Sequence, residues 1–254
     1  MNSILHYMGG KSLLTKKIIP LIPDHECYCE VFAGAAWLLF REEESGVEII
    51  NDINSDLITL YRVIKHHLEE FIRYLKWLLV ARNEFERFKI ENPESLTDIQ
   101  RAVRFYYLIK AGYGGRLNKP SFSVAVTKRS GFNLLRIEEE LSAAHLRLCR
   151  VYIENKPYGE IIKRYDRPGT FFYVDPPYFN FENYYGPGIF AREDFTCLAE
   201  LLSCVQGKFI MSINDTPEIR QMFKDFYIEE VTTSYTAAGA HRKKKVTELL
   251  IKNY

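Results

Sequence analysis

The stretch Phe171-Phe-Tyr-Val-Asp175-Pro-Pro-Tyr178 opens with four apolar strand formers and stops on an acid and two prolines. Apolar β-formers bounded by turn residues predict a buried strand. The carboxyl ends of such strands are where open α/β sheets place their ligands. The prolines stiffen the turn and lack backbone N–H groups, so their carbonyls stay available as acceptors. A carboxylate, a fixed carbonyl and an aromatic ring suit a planar heterocycle with an exocyclic amino group: two acceptors for its two N–H bonds and one face for stacking. The plainer alternative is a proline-rich turn with a capping Asp.

Six further strands are read outward from this one: Cys27–Phe32, Glu48–Asn51, Arg150–Glu154, Lys208–Ile213, Tyr227–Val231 and Glu248–Lys252. Helical patterns over Lys11–Ile22, Ala36–Glu43, Asp56–Lys65, Ile137–Leu146, Tyr158–Arg164, Arg192–Val205 and Pro217–Phe223 separate most of them. The alternation predicts a mostly parallel sheet with helices on both faces. The last two strands follow one another without a helix, which predicts a terminal antiparallel hairpin. Residues 68–148 break the rhythm. One helical pattern runs through Phe71, Leu75, Leu78, Leu79, Phe85 and Phe88, and a second from Ile99 to Ile109. A long loop, Ala111–Asn133, follows, and loops of that length in a compact domain are functional or disordered. We therefore expect a catalytic domain built from residues 1–62 and 149–254, with an inserted helical subdomain over 63–148.

Of the 254 residues, 47% are hydrophobic and 26% charged, which excludes wholesale disorder. No apolar run is long enough for a membrane-spanning helix, and the N-terminus lacks the apolar core of a signal peptide. The five cysteines are odd in number. Cys27 and Cys29 are assigned to opposite faces of their strand, and reduced thiols in a cytoplasmic protein are expected. No Cys/His spacing fits a metal. The net charge is only +1, yet Gln100–Arg136 holds eight Lys/Arg (Arg101, Arg104, Lys110, Arg116, Lys119, Lys128, Arg129, Arg136) and no acid. A second basic run is His241-Arg-Lys-Lys-Lys245. Local basic charge on a neutral protein marks either a polyanion-binding surface or a solvated face.

Two other segments carry chemistry. Glu30-Val-Phe-Ala-Gly34-Ala-Ala36 is a small-residue turn after the first strand, of the kind that lets a ligand approach backbone N–H groups. Asn51-Asp52 ends the next strand, where an acid suits ribose hydroxyls. Tyr7-Met-Gly-Gly-Lys11-Ser12 lacks the first glycine of a P-loop and the strand before it, which rejects a nucleotide triphosphatase. Its Gly-Gly turn can still bind an anion.

In this order, YxGGK, FxGxx, ND, a basic insertion, DPPY and the C-terminal HRKKKVTELLIKNY, the chain resembles the Dam-type (D12 class) N6-adenine DNA methyltransferases of bacteria and phages over essentially its whole length. The resemblance implies a seven-stranded Rossmann-like S-adenosylmethionine-dependent methyltransferase sheet with the insertion as DNA-recognition subdomain. It implies S-adenosylmethionine held by Tyr7, Lys11, Phe32, Gly34, Asp52, Tyr158 and Asp175, with Asp52 on the ribose and Tyr158 against the adenine of the donor. Asp175, Pro176 and Tyr178 are then the catalytic residues at a flipped adenine of duplex DNA. No metal is called for.

DNA contacts are expected from Tyr113, Arg116, Asn118, Lys119, Lys128 and Arg129. Arg116 serves as the guanine reader, and Lys128 and Arg129 sit on phosphates. Phe105, Tyr106, Tyr107, Phe122 and Phe132 are either stacking surfaces or core. Well-known members carry Asn-Gly-x-x-Arg and later Phe-Asn-x-Pro-Phe-Gly. This chain has Tyr113-Gly-Gly-Arg116-Leu-Asn118 and Pro120-Ser-Phe-Ser-Val, so its site is GATC, another short sequence or a relaxed one. Other amino targets (cytosine N4, RNA adenine, a protein glutamine) and an inactive DNA-binding module are the competing functions. A monomer, in the cytoplasm of a bacterium or phage-infected cell, with a cognate restriction endonuclease as a partner of the system, completes the expectation.

Overall fold

A computed structural model describes residues 1–5, 11–115, 120–124, 132–182, 188–235 and 244–254. Its sheet contains β1 (Cys27–Glu30), β2 (Val47–Asn51), β3 (Tyr152–Glu154), β4 (Thr170–Val174), β5 (Lys208–Asn214), β6 (Tyr227–Tyr235) and β7 (Lys244–Lys252). The spatial order is β3-β2-β1-β4-β5-β7-β6. β1 pairs in parallel with β2 and β4, and β4 with β5, whereas β7 runs antiparallel to both β5 and β6. This is the seven-stranded Rossmann-like methyltransferase arrangement. All seven strands read from the sequence are present. The chain order reverses between β1 and β4, the switch point at which such sheets bind ligands outside their carboxyl ends.

The helices are α1 (Thr15–Ile18), α2 (Ser55–His66), α3 (Leu68–Lys76), α4 (Arg82–Ile90), α5 (Asp98–Ala111), α6 (Leu134–Leu148), α7 (Tyr158–Tyr165), α8 (Glu193–Ser203) and α9 (Pro217–Met222). None of the described helices is long and apolar enough to cross a membrane.

The chain divides into two compact units. One comprises Lys11–Ala33, Glu42–Ile53 and Glu154–Tyr254. Its core is the apolar centre of the sheet: every residue of β4 is buried, as in a strand covered on both faces. Phe172 and Val174 pack with Cys29, Val31, Phe209 and Met211. The α8 stripe Phe195, Leu198, Ala199 and Leu202 closes over this cluster at helical spacing. Cys27 packs against the same cluster as Cys29. The two-residue repeat of a strand puts both on one face, which corrects their assignment to opposite faces. All five cysteines are free thiols.

The other unit comprises Met1–Gly10, Gly34–Arg41 and Asn54–Ile153. Here α2 starts on the side chain of Asn54, which accepts from the Asp56 and Leu57 N–H groups, and α5 starts on a Thr97/Gln100 capping box. Two helix expectations are corrected. Ala36–Glu43 forms turns, not a helix: Gly34 and Ala36 sit at φ 48° and 49°, outside the right-handed region. Its run of buried residues reflects burial all round, with Ser3 Oγ donating to the Ala35 carbonyl at 2.5 Å and the N-terminal amine to the Phe40 carbonyl at 2.7 Å. The single pattern from Phe71 to Phe88 is two helices, α3 and α4. The link between them is held by the Tyr107 hydroxyl, which donates to the Leu79 carbonyl (2.8 Å) and accepts from the Ala81 N–H (3.3 Å).

Candidate active site

β4 ends at Val174 and delivers Asp175 to the switch point. The Asp175 Oδ1 atom is anchored twice: Ser212 Oγ on β5 donates to it at 3.0 Å, and Lys11 Nζ lies 3.2 Å away. Neither Asp175 Oδ2 nor the Pro176 carbonyl accepts a hydrogen bond among the described residues. Lys11 Nζ also donates to Glu248 Oε2 at 2.9 Å and to the Tyr178 hydroxyl at 2.7 Å, and sits 4.3 Å from the centre of the Tyr178 ring. The Tyr178 hydroxyl in turn donates to Glu248 Oε1 at 2.6 Å. Asp175, Tyr178, Lys11 and Glu248 thus form one connected group.

Burial pushes the Asp175 carboxyl up to about 6; the Lys11 ammonium pulls it down and the Glu248 charge pushes it up. The Tyr173 hydroxyl, paired with Ser212 Oγ at 2.9 Å, is pushed well above its usual value by burial and then by the Asp175 charge. The turn after Tyr178 is clamped by Asn214 at the end of β5. Its Oδ1 accepts from the Phe179 N–H (2.9 Å) and its Nδ2 donates to the Phe179 carbonyl (3.2 Å).

A second group gathers beyond β1 and β2. Asn51, buried, donates through Nδ2 to the carbonyls of Val31 and Lys156, both at 3.0 Å, and accepts from the Lys156 N–H at 2.9 Å. These bonds tie together the segments that carry Phe32, Asp52 and Tyr158. The Phe32 and Tyr158 rings stack with centroids 5.6 Å apart, and Phe190 meets both. The Tyr158 hydroxyl donates to Asp194 at 2.9 Å, and burial followed by that carboxylate raises its pKa. Asp52 is half-buried, and its backbone carbonyl accepts from Asn155 Nδ2 at 2.7 Å.

Lys11, Phe32, Asp52, Tyr158, Asp175, Pro176 and Tyr178 therefore all belong to one unit. Gly34 opens the Gly34–Arg41 segment of the other, where its carbonyl accepts from the Tyr61 hydroxyl at 2.8 Å. Tyr7, Arg116, Asn118, Lys119, Lys128 and Arg129 lie outside the described residues, as does the run His241–Lys243. Sequence reasoning gave no site role to Ser212 or Asn214, nor to Asn51 of the ND pair or Glu248 of the C-terminal stretch. A signal existed for Glu248: a lone carboxylate inside an apolar strand costs too much to bury without partners.

Two readings left open for the insertion are narrowed. Tyr106 and Tyr107 are fully buried and Phe105 nearly so, which makes these three core and not stacking surfaces, while Phe122 and Phe132, partly buried, pack on the Phe85–Phe88–Tyr107 cluster. Half of the eight cations between Gln100 and Arg136 are already paired with acids from elsewhere: Arg101 and Arg104 with Asp56, Lys110 and Arg136 with Glu140. Tyr113 stays partly exposed on the turn that leads into 116–119. The base of that loop is closed by Tyr113 N–H to the Ser121 carbonyl (2.7 Å) and Ser123 N–H to the Ala111 carbonyl (2.8 Å). The turn needs Gly114 and Gly115 at φ 67° and 60°.

Residues 7–237 match the model of the D12 class N6 adenine-specific DNA methyltransferase family. Among curated proteins, the chain is 30% identical to the DNA adenine methylase of Escherichia coli K12, over 98% of this chain and 94% of that one. It is 26% identical to the Type II methyltransferase M.CviBI of Paramecium bursaria Chlorella virus NC1A over the full length of both. It is 27% identical to the Type II methyltransferase M1.LlaDCHI of Lactococcus lactis subsp. cremoris, over 98% and 94%.

Proposed function

The chain belongs to the D12 class N6 adenine-specific DNA methyltransferase family, and on that premise we propose how its residues divide the work. It methylates adenine N6 in DNA and depends on S-adenosylmethionine. When bound, that donor supplies an electrophilic methyl group on a cationic sulfur. The described residues fit it: two carboxylates face one ammonium in the Asp175 group, and Asp52 stands half-buried beside a stacked aromatic pair. Phe32, Tyr158, Asp52, Lys11 and Asp175 hold the donor on this reading.

The target base leaves the duplex and stacks on Tyr178. Asp175 Oδ2 and the Pro176 carbonyl accept the two N6–H bonds. An adenine amino group is a poor nucleophile because its lone pair is delocalised into the ring. Acceptors on both protons favour the pyramidal form, whose lone pair is free to attack. N6 would take the methyl carbon as the carbon–sulfur bond of the donor breaks and the neutral thioether leaves, and the surplus proton would pass through Asp175 Oδ2 to water. No strong base is needed, since a protonated methylamino nitrogen is very acidic. Positioning and a preorganised acceptor pair are the main contributions of the protein. The observation that carries this reading is the division of Asp175: one oxygen is anchored by Ser212 and Lys11, and the other is left without a partner among the described residues.

Residues 63–148 serve as the recognition subdomain, with Arg116 reading a guanine edge and Tyr113, Asn118, Lys119, Lys128 and Arg129 on the backbone. The Type II names of two relatives support a partner endonuclease for the same site. The protein works as a monomer in the cytoplasm. Transfer of a tritiated methyl group to duplex DNA, RNA and protein, followed by nucleoside digestion, tests the reading. Label in N6-methyladenine from DNA, lost in Asp175→Ala, supports it. Label in cytosine, RNA or protein, or a variant that keeps its rate, rejects it.

A further inference from the structure

Glu248 lies in the C-terminal HRKKKVTELLIKNY stretch but received no role from the sequence, yet it is fully buried and both of its carboxylate oxygens are engaged by site residues. The β5–β7 register sets it opposite Asn214, the residue that clamps the turn after Tyr178. Lys11 Nζ lies closer to Glu248 (2.9 Å) than to Asp175 (3.2 Å). The ammonium is therefore a counter-ion shared between two acids. With both acids ionised, the three groups sum to one negative charge.

We infer that Glu248 is the positioning residue of this site, holding Lys11 and Tyr178 in place and dividing the Lys11 charge so that the site keeps one net negative charge for a cationic donor. The inference rests on the reading of Asp175 given above. Without Glu248, Asp175 would be the carboxylate left beside Lys11 among the described residues, and that pair would be neutral toward a sulfonium. Tyr178 would also lose one of the partners that hold its hydroxyl and so help to set the ring plane on which the base stacks. Among the described residues, the titratable groups facing Asp175 are Lys11, Glu248 and Tyr173, and Glu248 is the charged one that can be neutralised without removing a proposed contact to base or donor.

The test compares S-adenosylmethionine with S-adenosylhomocysteine, which differ by the charged methyl. Titration calorimetry of the full-length protein without DNA measures both across pH. In Glu248→Gln, affinity for the sulfonium should fall on the order of tenfold while affinity for the neutral thioether changes little. The acid limb of sulfonium binding should also move to lower pH, because the charge that pushed Asp175 up is gone. Equal weakening of both ligands, or an unmoved acid limb, overturns the inference. If Glu248→Gln does not fold, as judged by thermal melting, Glu248→Asp takes its place. It should keep the sulfonium preference and slow methyl transfer, and loss of that preference with the charge intact overturns the inference. Asp175→Asn is the control for the underlying reading. If it leaves both the sulfonium preference and methyl transfer intact, the Asp175 role fails. If it abolishes them while Glu248→Gln changes nothing, only the Glu248 role fails.

Discussion

Asn51 and Lys156, 105 residues apart, are joined by a reciprocal pair of hydrogen bonds: the Lys156 N–H donates to Asn51 Oδ1 and Asn51 Nδ2 donates back to the Lys156 carbonyl. The same Nδ2 also serves the Val31 carbonyl. One buried amide thus sets the spacing between the Phe32 and Tyr158 rings.

Asn51→Ala should therefore act on both stability and donor binding. It strands buried backbone groups, each worth about 1–3 kcal/mol, so chemical denaturation should show a loss of roughly 2–4 kcal/mol. Calorimetry should show weakened S-adenosylmethionine binding in the folded fraction. Unchanged donor affinity would separate Asn51 from the site.

Asp175 couples stability and activity to pH with opposite signs. Its folded pKa is raised to about 6, so protonation favours the folded state. The stabilisation is fully present below the ordinary carboxylate range and is lost as pH rises through about 6, on the order of 3 kcal/mol in all. Methyl transfer needs the ionised form and should fall as pH drops through the same window. Asp175→Asn should abolish the pH-dependent part of stability and cost about 10²–10³ in single-turnover rate. Parallel melting and rate profiles check both. A less than tenfold rate loss argues against the acceptor role.

Gly112 closes the base of the 116–119 loop, and a methyl group there would meet the Leu108 carbonyl oxygen at 2.4 Å. Gly112→Ala must shift that backbone. Fluorescence anisotropy should show reduced DNA affinity while calorimetry shows S-adenosylmethionine binding intact. Loss of both in step would mean global unfolding, not a loop effect.

Tyr107→Phe tests the core assignment of the insertion aromatics. Removing a hydroxyl that holds both ends of the α3–α4 link should cost about 1–3 kcal/mol in chemical denaturation. The set of methylated sites should not change. A changed site preference in sequencing of the modified DNA would return Tyr107 to the DNA interface.

Arg116→Ala should change which sites are methylated, with a discrimination loss of about 1–3 kcal/mol at one base position. Lys128→Ala should weaken all DNA alike and flatten the salt dependence by roughly one unit. A substrate library methylated at several salt concentrations separates the two. Arg116→Ala that lowers affinity without altering preference makes Arg116 another phosphate contact.

The strands were legible because buried β-segments are short apolar runs with sharp polar ends, and Asp52, Asp175 and Asn214 mark three of those ends. The Asp175 turn announced its chemistry through two prolines that no ordinary helix or strand interior tolerates. Ala36–Phe40 misled because a segment buried all round has no periodic face to read. Tyr106 and Tyr107 stayed open between core and DNA contact because a phenol is equally suited to both, and only packing decides between them. Arg101 and Arg104 looked like free charge because Asp56, their partner, lies some 45 positions earlier in the chain. Lys11 and Glu248 stand 237 residues apart, a separation no local pattern spans.

The place of β7 in the sheet has a consequence for how the protein is made. It follows β6 in the chain but lies between β5 and β6, so the ribosome releases β5 before the strand that will cover its edge. Until β7 arrives, a strand as apolar as Phe209–Ile213 presents an open row of backbone donors and acceptors, the kind of edge that invites pairing with another nascent chain. The carboxylate that partners Lys11 comes with that same late strand. Closure of the sheet and completion of the charge cluster are therefore one event, and a chain still in synthesis carries no finished donor site.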